Sequence, residues 1–285
     1  MSIKFLDCTF RDGGYYNAWD FSPELVSDYL GAMSALNVDF VEIGFRSVKN
    51  TGFKGGFAFS TDAFINSLNI PSELTDKIGV MINGSELVLE QAGILDVEQQ
   101  AVYLNSILQK LFVPKTQSPV TLVRIACHVH EFEACLPAAN WLSERGYKVG
   151  FNLMQVAGCT SNEISRLALS ANNYPLDVLY FADSMGSLSS KEIVQIINAI
   201  KVGWNGDIGI HTHDSMGQAV TNTQAAINEG VTWVDSTVTG MGRGPGNAQT
   251  EYLALILGDK YNEKSNLIKL FGIINKHFKP MQALY

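Results

Sequence analysis

No Cys-x-x-Cys pair, no run of basic residues and no apolar stretch near the roughly 18 residues of a membrane span occur in this chain, and each absence removes a class of protein. Without that spacing, the four cysteines (Cys8, Cys127, Cys135 and Cys159) read as reduced, mostly buried thiols. A net charge of −8 and a pI near 5.1, with no basic segment to offset them, argue against a nucleic-acid surface and against an anionic membrane. A charged, strand-like segment begins almost at Met1 and leaves no room for a signal peptide, so the expectation is a soluble cytoplasmic protein. The first strand-like run is not followed by Gly-x-Gly-x-x-Gly, which disfavours an open, doubly wound dinucleotide-binding sheet.

What is present is a hydrophobic content of 46% over 285 residues, enough for one large core. Short apolar or β-branched runs alternate with longer stretches of helical periodicity, the pattern of repeated βα units around a parallel sheet. Eight strands are expected, at Lys4–Phe10, Asp39–Phe45, Lys77–Ile82, Thr121–Cys127, Lys148–Met154, Asp177–Ala182, Asp207–His211 and Trp233–Val238. Between them, Ser22 and Pro23 open a helix running to Leu36, and another covers Ser189–Lys201. The fold class is therefore α/β, a (β/α)8 TIM barrel. The barrel domain is expected over residues 1–258. Residues 259–285 follow as a C-terminal helical extension, with Leu267, Leu270, Phe271 and Ile274 on its packing face.

Barrel enzymes carry their chemistry where strands end and loops begin. His211 and His213 end the seventh strand two residues apart, so both side chains point to one face. Imidazole is the commonest protein ligand for divalent transition metals, and this pair offers half a coordination shell. Arg11 and Asp12 end the first strand and Glu42 and Arg46 the second, while Arg124 and His128 lie on or after the fourth. Asn83 follows the third strand, Asn152 and Gln155 fall on the fifth, and Asp183 and Ser184 end the sixth. Charged groups at such positions are costly unless paired or bound, and a structural ion network is the alternative to a site. Residues Ser47–Ser60, rich in glycine and phenylalanine, suit either a lid or a surface loop pinned by its aromatics. After the eighth strand, the glycine-rich run Thr239–Asn247 is able to bind an anion or to place Asn247 as an oxygen ligand.

Taken in order, Asp7-x-Thr9-x-Arg11-Asp12-Gly13, Glu42, His211-x-His213-Asp214 with Gly217, and Gly244-x-Gly246-Asn247 resemble the HMG-CoA lyase-like, or DRE-TIM, metallolyases. The likeness runs from about Ile3 to Leu257 and is nearest in pattern to 4-hydroxy-2-oxovalerate aldolases. It implies a divalent metal held by Asp12, His211 and His213 with Asn247 as a further ligand, an arginine (Arg11) that stabilises an enolate, and a carboxylate (Glu42) beneath the site. The metal expected is Mn²⁺ or Mg²⁺, with Zn²⁺ and Co²⁺ also compatible with two imidazoles. Arg124, Asp183 and Arg46 are the expected substrate-holding residues.

The resemblance thus implies a carbon–carbon lyase that cleaves a 4-hydroxy-2-oxo acid to pyruvate and an aldehyde, or runs the reverse, with a small 2-oxo acid as partner and a homo-oligomer, a dimer, as its assembly. One departure stands out. The aldolases carry a histidine soon after the Arg-Asp pair, and Tyr15 holds that place here. The candidates for the base are Tyr15, His128 or a metal-bound hydroxide. Two alternatives are kept: an acyl-CoA-dependent Claisen enzyme and a metal-binding barrel without catalysis. HMG-CoA lyase itself is disfavoured, because Gly240–Asn247 contains no cysteine.

Overall fold

The computed structural model describes residues 2–49, 52–89, 96–258 and 264–284. Its strands are β1 (Lys4–Asp7), β2 (Phe40–Phe45), β3 (Ile78–Asn83), β4 (Leu122–His128), β5 (Lys148–Met154), β6 (Val178–Asp183), β7 (Asp207–Thr212) and β8 (Trp233–Ser236). Each is parallel to the next, and the ring closes through β8 and β1 in the register Lys4↔Trp233 to Asp7↔Ser236. Strands buried on both faces read as nearly unbroken apolar runs, as in Ile-Gly-Val-Met-Ile over residues 78–82. The eight strands and the barrel class stand as expected.

The interior is graded from bottom to top. At the strand starts, Leu6, Phe40, Leu122, Val178, Tyr180 and Trp233 form a closed apolar plug, with Phe40 stacked on Trp233 at 5.2 Å. Large residues there demand small ones opposite. A Cβ on Gly209 would lie 2.6 Å from the Tyr180 ring, so the neighbouring strand carries glycine at that level. Polar and charged side chains begin above this plug.

Helices cover the outside, one after each strand: Pro23–Leu36, Asp62–Asn66, Val97–Leu111, Pro137–Ser143, Ser161–Ala171, Ser190–Gly203, Ala219–Asn228 and Thr250–Ile256. Their starts follow local chemistry. Ser22 accepts the Leu25 N–H ahead of Pro23, and Ser189 with Glu192 forms a reciprocal capping box. No helix among the described residues is long and apolar enough to cross a membrane.

Most expected strand ends fall within one residue of those observed, and two strands depart further. The first strand stops at Asp7 rather than Phe10, because the Asp7 carboxylate accepts both the N–H (2.9 Å) and the hydroxyl (2.6 Å) of Thr9 and turns the chain out of the ladder. Thr9–Asp12 is one helical turn. The eighth strand ends at Ser236, two residues early. The tail differs in its packing face: Lys264–Ile273 is helical, Leu270, Ile273 and the following Ile274 are buried, and Phe271 of the expected face is 43% exposed. The expected domain boundary adjoins residues 259–263, which lie outside the described residues. Lys276 and His277 hold the tail to the first long helix through Asp28, at 2.7 and 2.8 Å.

Candidate active site

The helical turn after β1 has a purpose in space: it swings Arg11 and Asp12 over the mouth of the barrel. Arg11 Nε donates to Glu42 Oε2 and Nη1 to Asp12 Oδ1, both at 2.8 Å. From β7, His211 Nε2 lies 3.4 Å from Asp12 Oδ2, and the His213 ring sits 5.0 Å from that of His211. One ligand atom from each of Asp12, His211 and His213 falls within 4.8 Å of the others, and all three residues are buried. The loop after β8 brings in Asn247, whose Nδ2 donates to Asp12 Oδ2 at 2.5 Å. That approach requires glycine at position 242, where a Cβ would lie 2.2 Å from Asn247 Nδ2 and 3.1 Å from Asp12 Oδ2.

Below this group lies a second charged layer. Arg124, fully buried on β4, donates from Nε and Nη2 to Glu42 and from Nη1 to both oxygens of Asp235 at 3.0 and 2.8 Å. Asp235 also takes His211 Nδ1 at 2.9 Å. Two guanidiniums therefore face three carboxylates, Asp12, Glu42 and Asp235, with His211 between two of them. With His211 neutral the surplus is one negative charge, which a bound cation or a proton on His211 would balance. The carboxylate behind His211 fixes which ring nitrogen faces the opening, a common support for a ligating imidazole.

Protonation follows from burial and neighbours. Burial alone would raise Asp12, but Arg11 and His211 outweigh it and hold the carboxyl well below the usual range. Asp235 is likewise lowered, by Arg124 and His211 against burial. Burial first and His211 second push His213 down to about 4, so its imidazole is neutral at pH 7. For His211 burial works downward, and the hydrogen bonds to Asp12 and Asp235 reverse it to a net rise.

Three buried polar atoms here have no partner: Asn247 Oδ1, Asn152 Oδ1 and Arg11 Nη2. Orphaned atoms are rare in native structures and mark a place for a ligand. Arg11 and Asn152 line a cavity of about 70 Å³ together with Asp12, His211 and His213, and Asn247 meets it through its hydrogen bond to Asp12. Tyr15, Asn83, Asn152, Ser184 and Arg243 contribute polar wall, and Phe45, Met81 and Met154 apolar wall.

The residues expected at the site sort into those at the opening and those elsewhere. Arg11, Asp12, His211, His213 and Asn247 meet there, with Tyr15 at the rim and Glu42 beneath. Arg124 does not face the opening: enclosed by Glu42, Asp235 and the Tyr180 ring at 4.5 Å, it is a support beneath the site. Arg46 is turned outward, donating to the Ser60 and Leu111 carbonyls and to Asp62, so its charge is consumed away from the cavity. Asp183 accepts the N–H groups of Ser187 and Leu188 and shapes the turn after β6. His128 sits beside Glu131, 3.2 Å from Nδ1, stacks on His130 and does not line the cavity. None of these four has the access that a substrate or base role requires.

Tyr15 rests edge-on against Trp19, and burial raises its hydroxyl, against Arg11, so it stays protonated and serves as a hydrogen-bond donor rather than a base. In the glycine-rich stretch before β3, Phe57 packs among Phe10, Phe21 and Phe64 and pins residues 55–60 as a fixed turn. Positions 50 and 51 of that loop lie outside the described residues. Sequence reading passed over Asp235, although an acid two residues after the inward Trp233 on β8 must share its face.

A closed eight-stranded barrel that gathers a carboxylate, two imidazoles and an arginine at its strand ends is the frame of a lyase acting on small oxygenated substrates. Residues 115–275 match the family model described as HMGL-like, and the chain belongs to that family. It is similar to the 4-hydroxy-2-oxovalerate aldolase of Pelotomaculum thermopropionicum, 29% identical over 90% of this chain and 70% of that protein. The enzyme of the same name from Carboxydothermus hydrogenoformans is 27% identical over 98% of this chain and 77% of its own length. Among solved structures, the N-terminal domain of a protein provisionally described as an aldolase from Bacteroides vulgatus superposes with a TM-score of 0.81 at 28% identity, covering 99% of this chain and 88% of that one. The HMG-CoA lyase of Bacillus subtilis shares the fold, with a TM-score of 0.67 at 16% identity over 99% of this chain and 94% of that one. With these relatives, the chain is a carbon–carbon lyase of the aldolase type.

Proposed function

We propose that this enzyme splits a 4-hydroxy-2-oxo acid into pyruvate and an aldehyde, or joins the two, using a divalent metal held by Asp12, His211, His213 and Asn247. The reading rests on one observation: a carboxylate and two imidazoles within 4.8 Å of one another, beside an amide oxygen with no partner. The donor set fits a divalent ion. Asp12 is ionised, His213 is neutral, and Asn247 Oδ1 lacks only something to coordinate. When bound, such an ion supplies Lewis acidity to the keto oxygen of a 2-oxo acid. Mixed imidazole and oxygen ligation leaves Mn²⁺, Mg²⁺, Co²⁺ and Zn²⁺ all compatible, with Mn²⁺ or Mg²⁺ preferred.

The chain's own residues do the rest. Arg11 is held rigid by Glu42 and Asp12 and keeps Nη2 free, so a fixed positive donor meets the oxygen on which enolate charge develops. Because it is already oriented, little reorganisation accompanies charge formation. Tyr15 is a hydrogen-bond donor at the rim and orients a hydroxyl or carbonyl oxygen of the substrate. The apolar wall of Phe45 and Met81, both nearly fully buried, keeps bulk water from the carbanion face.

The test is pyruvate release from a set of 4-hydroxy-2-oxo acids by metal-stripped protein, with and without Mn²⁺. The expected result is metal-dependent pyruvate that disappears, together with metal binding, in His211→Ala. Metal-independent turnover, or a His211→Ala protein with undiminished metal affinity, would overturn the assignment.

A further inference from the structure

Arg243 has no assigned task, yet it lines the cavity opposite the deep cluster. It sits on the exposed part of the loop after β8, between Gly242, which must be glycine for Asn247 to reach Asp12, and Gly244, whose carbonyl accepts the Tyr16 hydroxyl at 2.9 Å. The loop is thus anchored on both sides of it. Among the described residues Arg243 makes no ion pair, and its one hydrogen bond is a long 3.5 Å contact to the Ser184 carbonyl. All other guanidiniums of the site, by contrast, are neutralised by carboxylates. Tyr15 and His213 line the same cavity, so the guanidinium is presented to the space beside them.

The same cavity carries further polar groups. Asn152 is 4% exposed, lines the same cavity, and leaves Oδ1 without a donor. Asn83 and Ser184 continue the wall. An acceptor as small and apolar as acetaldehyde would leave these groups idle, and buried polar groups without partners are costly.

We infer that Arg243 selects an acceptor aldehyde carrying a negative group, a carboxylate or a phosphate, and that the site takes anionic rather than neutral aldehydes. The inference rests on the aldolase reading above and adds to it the class of the second substrate. The pyruvate half needs no help from Arg243, because Arg11 and the ligand cluster already face it. An anion at the far end of the acceptor meets a guanidinium that is presented, charged at any working pH and able to bind two oxygens at once.

The experiment separates the two claims. Deuterium exchange into the methyl group of pyruvate, followed by NMR with Mn²⁺-loaded protein, reports enolisation without any aldehyde. Condensation is then measured with paired acceptors: butanal against succinic semialdehyde, and glycolaldehyde against glycolaldehyde phosphate. The expected kcat/KM advantage of the charged member over the neutral one is roughly 10- to 100-fold, the worth of one charged hydrogen-bonded contact. Whichever pair shows the larger advantage identifies carboxylate or phosphate. In Arg243→Gln that ratio collapses towards one through the KM of the charged acceptor, and Arg243→Lys restores part of it. Exchange without a preference for charged acceptors, or a preference that survives Arg243→Gln, overturns the inference and leaves the aldolase reading standing. A change in pyruvate exchange equal to the change in condensation would assign Arg243 to the pyruvate carboxylate instead and overturn it as well. No exchange in the wild-type protein overturns both.

Discussion

Asp235 does not line the cavity at the strand ends, yet the arrangement of His211 depends on it. Its Oδ2 receives His211 Nδ1 while both oxygens hold Arg124, so one carboxylate orients a proposed ligand and neutralises a buried cation. Asp235→Asn retains the shape and removes the charge. Metal affinity is expected to fall roughly 10- to 100-fold, the usual effect of losing a carboxylate behind a ligating histidine. Competition against a fluorescent chelator measures it, and a dissociation constant equal to that of the wild type would remove Asp235 from this role. The residue also marks where sequence reading runs out. His211, His213, Asp12 and Arg11 announce themselves by position at strand ends, whereas Asp235 lies inside its strand, between Val234 and Ser236, and is identified only by its inward parity. Arg46 misleads in the opposite sense. It ends a strand as a substrate residue would, but Asp62 and two carbonyls take its donors outward.

At the level of elements, what was legible depends on whether local chemistry or distant partners decide a boundary. The helix Pro23–Leu36 agrees with its sequence signals at both ends, since Ser22, Pro23 and the left-handed Asn37 all act within a few residues. The end of β1 was not legible, because β propensity carries on through Thr9 and Phe10. There, Asp7 gathers Thr9, the Tyr29 hydroxyl and Thr250 from three parts of the chain. A cap offers a clean test at this scale. Ser189→Ala removes one side of the capping box of Ser190–Gly203, an element that lines none of the site. The expected cost is about 1 kcal/mol, or a fall in Tm of roughly 2 °C, with kcat unchanged. A Tm equal to that of the wild type would show that the cap is replaced by solvent.

Across the whole molecule, the site straddles one seam. Asp12 follows β1, His211 and His213 end β7, and Asn247 follows β8, so the proposed ligands come from both sides of the closure between β8 and β1. An ion bound there favours only the closed ring, and binding to the native state alone stabilises it by mass action. Mn²⁺ at about 100 times its dissociation constant is expected to add about 2.7 kcal/mol, seen as a rise in Tm that EDTA reverses. A Tm insensitive to Mn²⁺ would place metal elsewhere or nowhere.

The hydrogen bond from Asn247 to Asp12 joins groups 235 positions apart. During synthesis, Asp12 therefore leaves the ribosome long before Asn247 exists. Under the proposed ligand set, the full set of donors is present only once the segment after the last strand has been made.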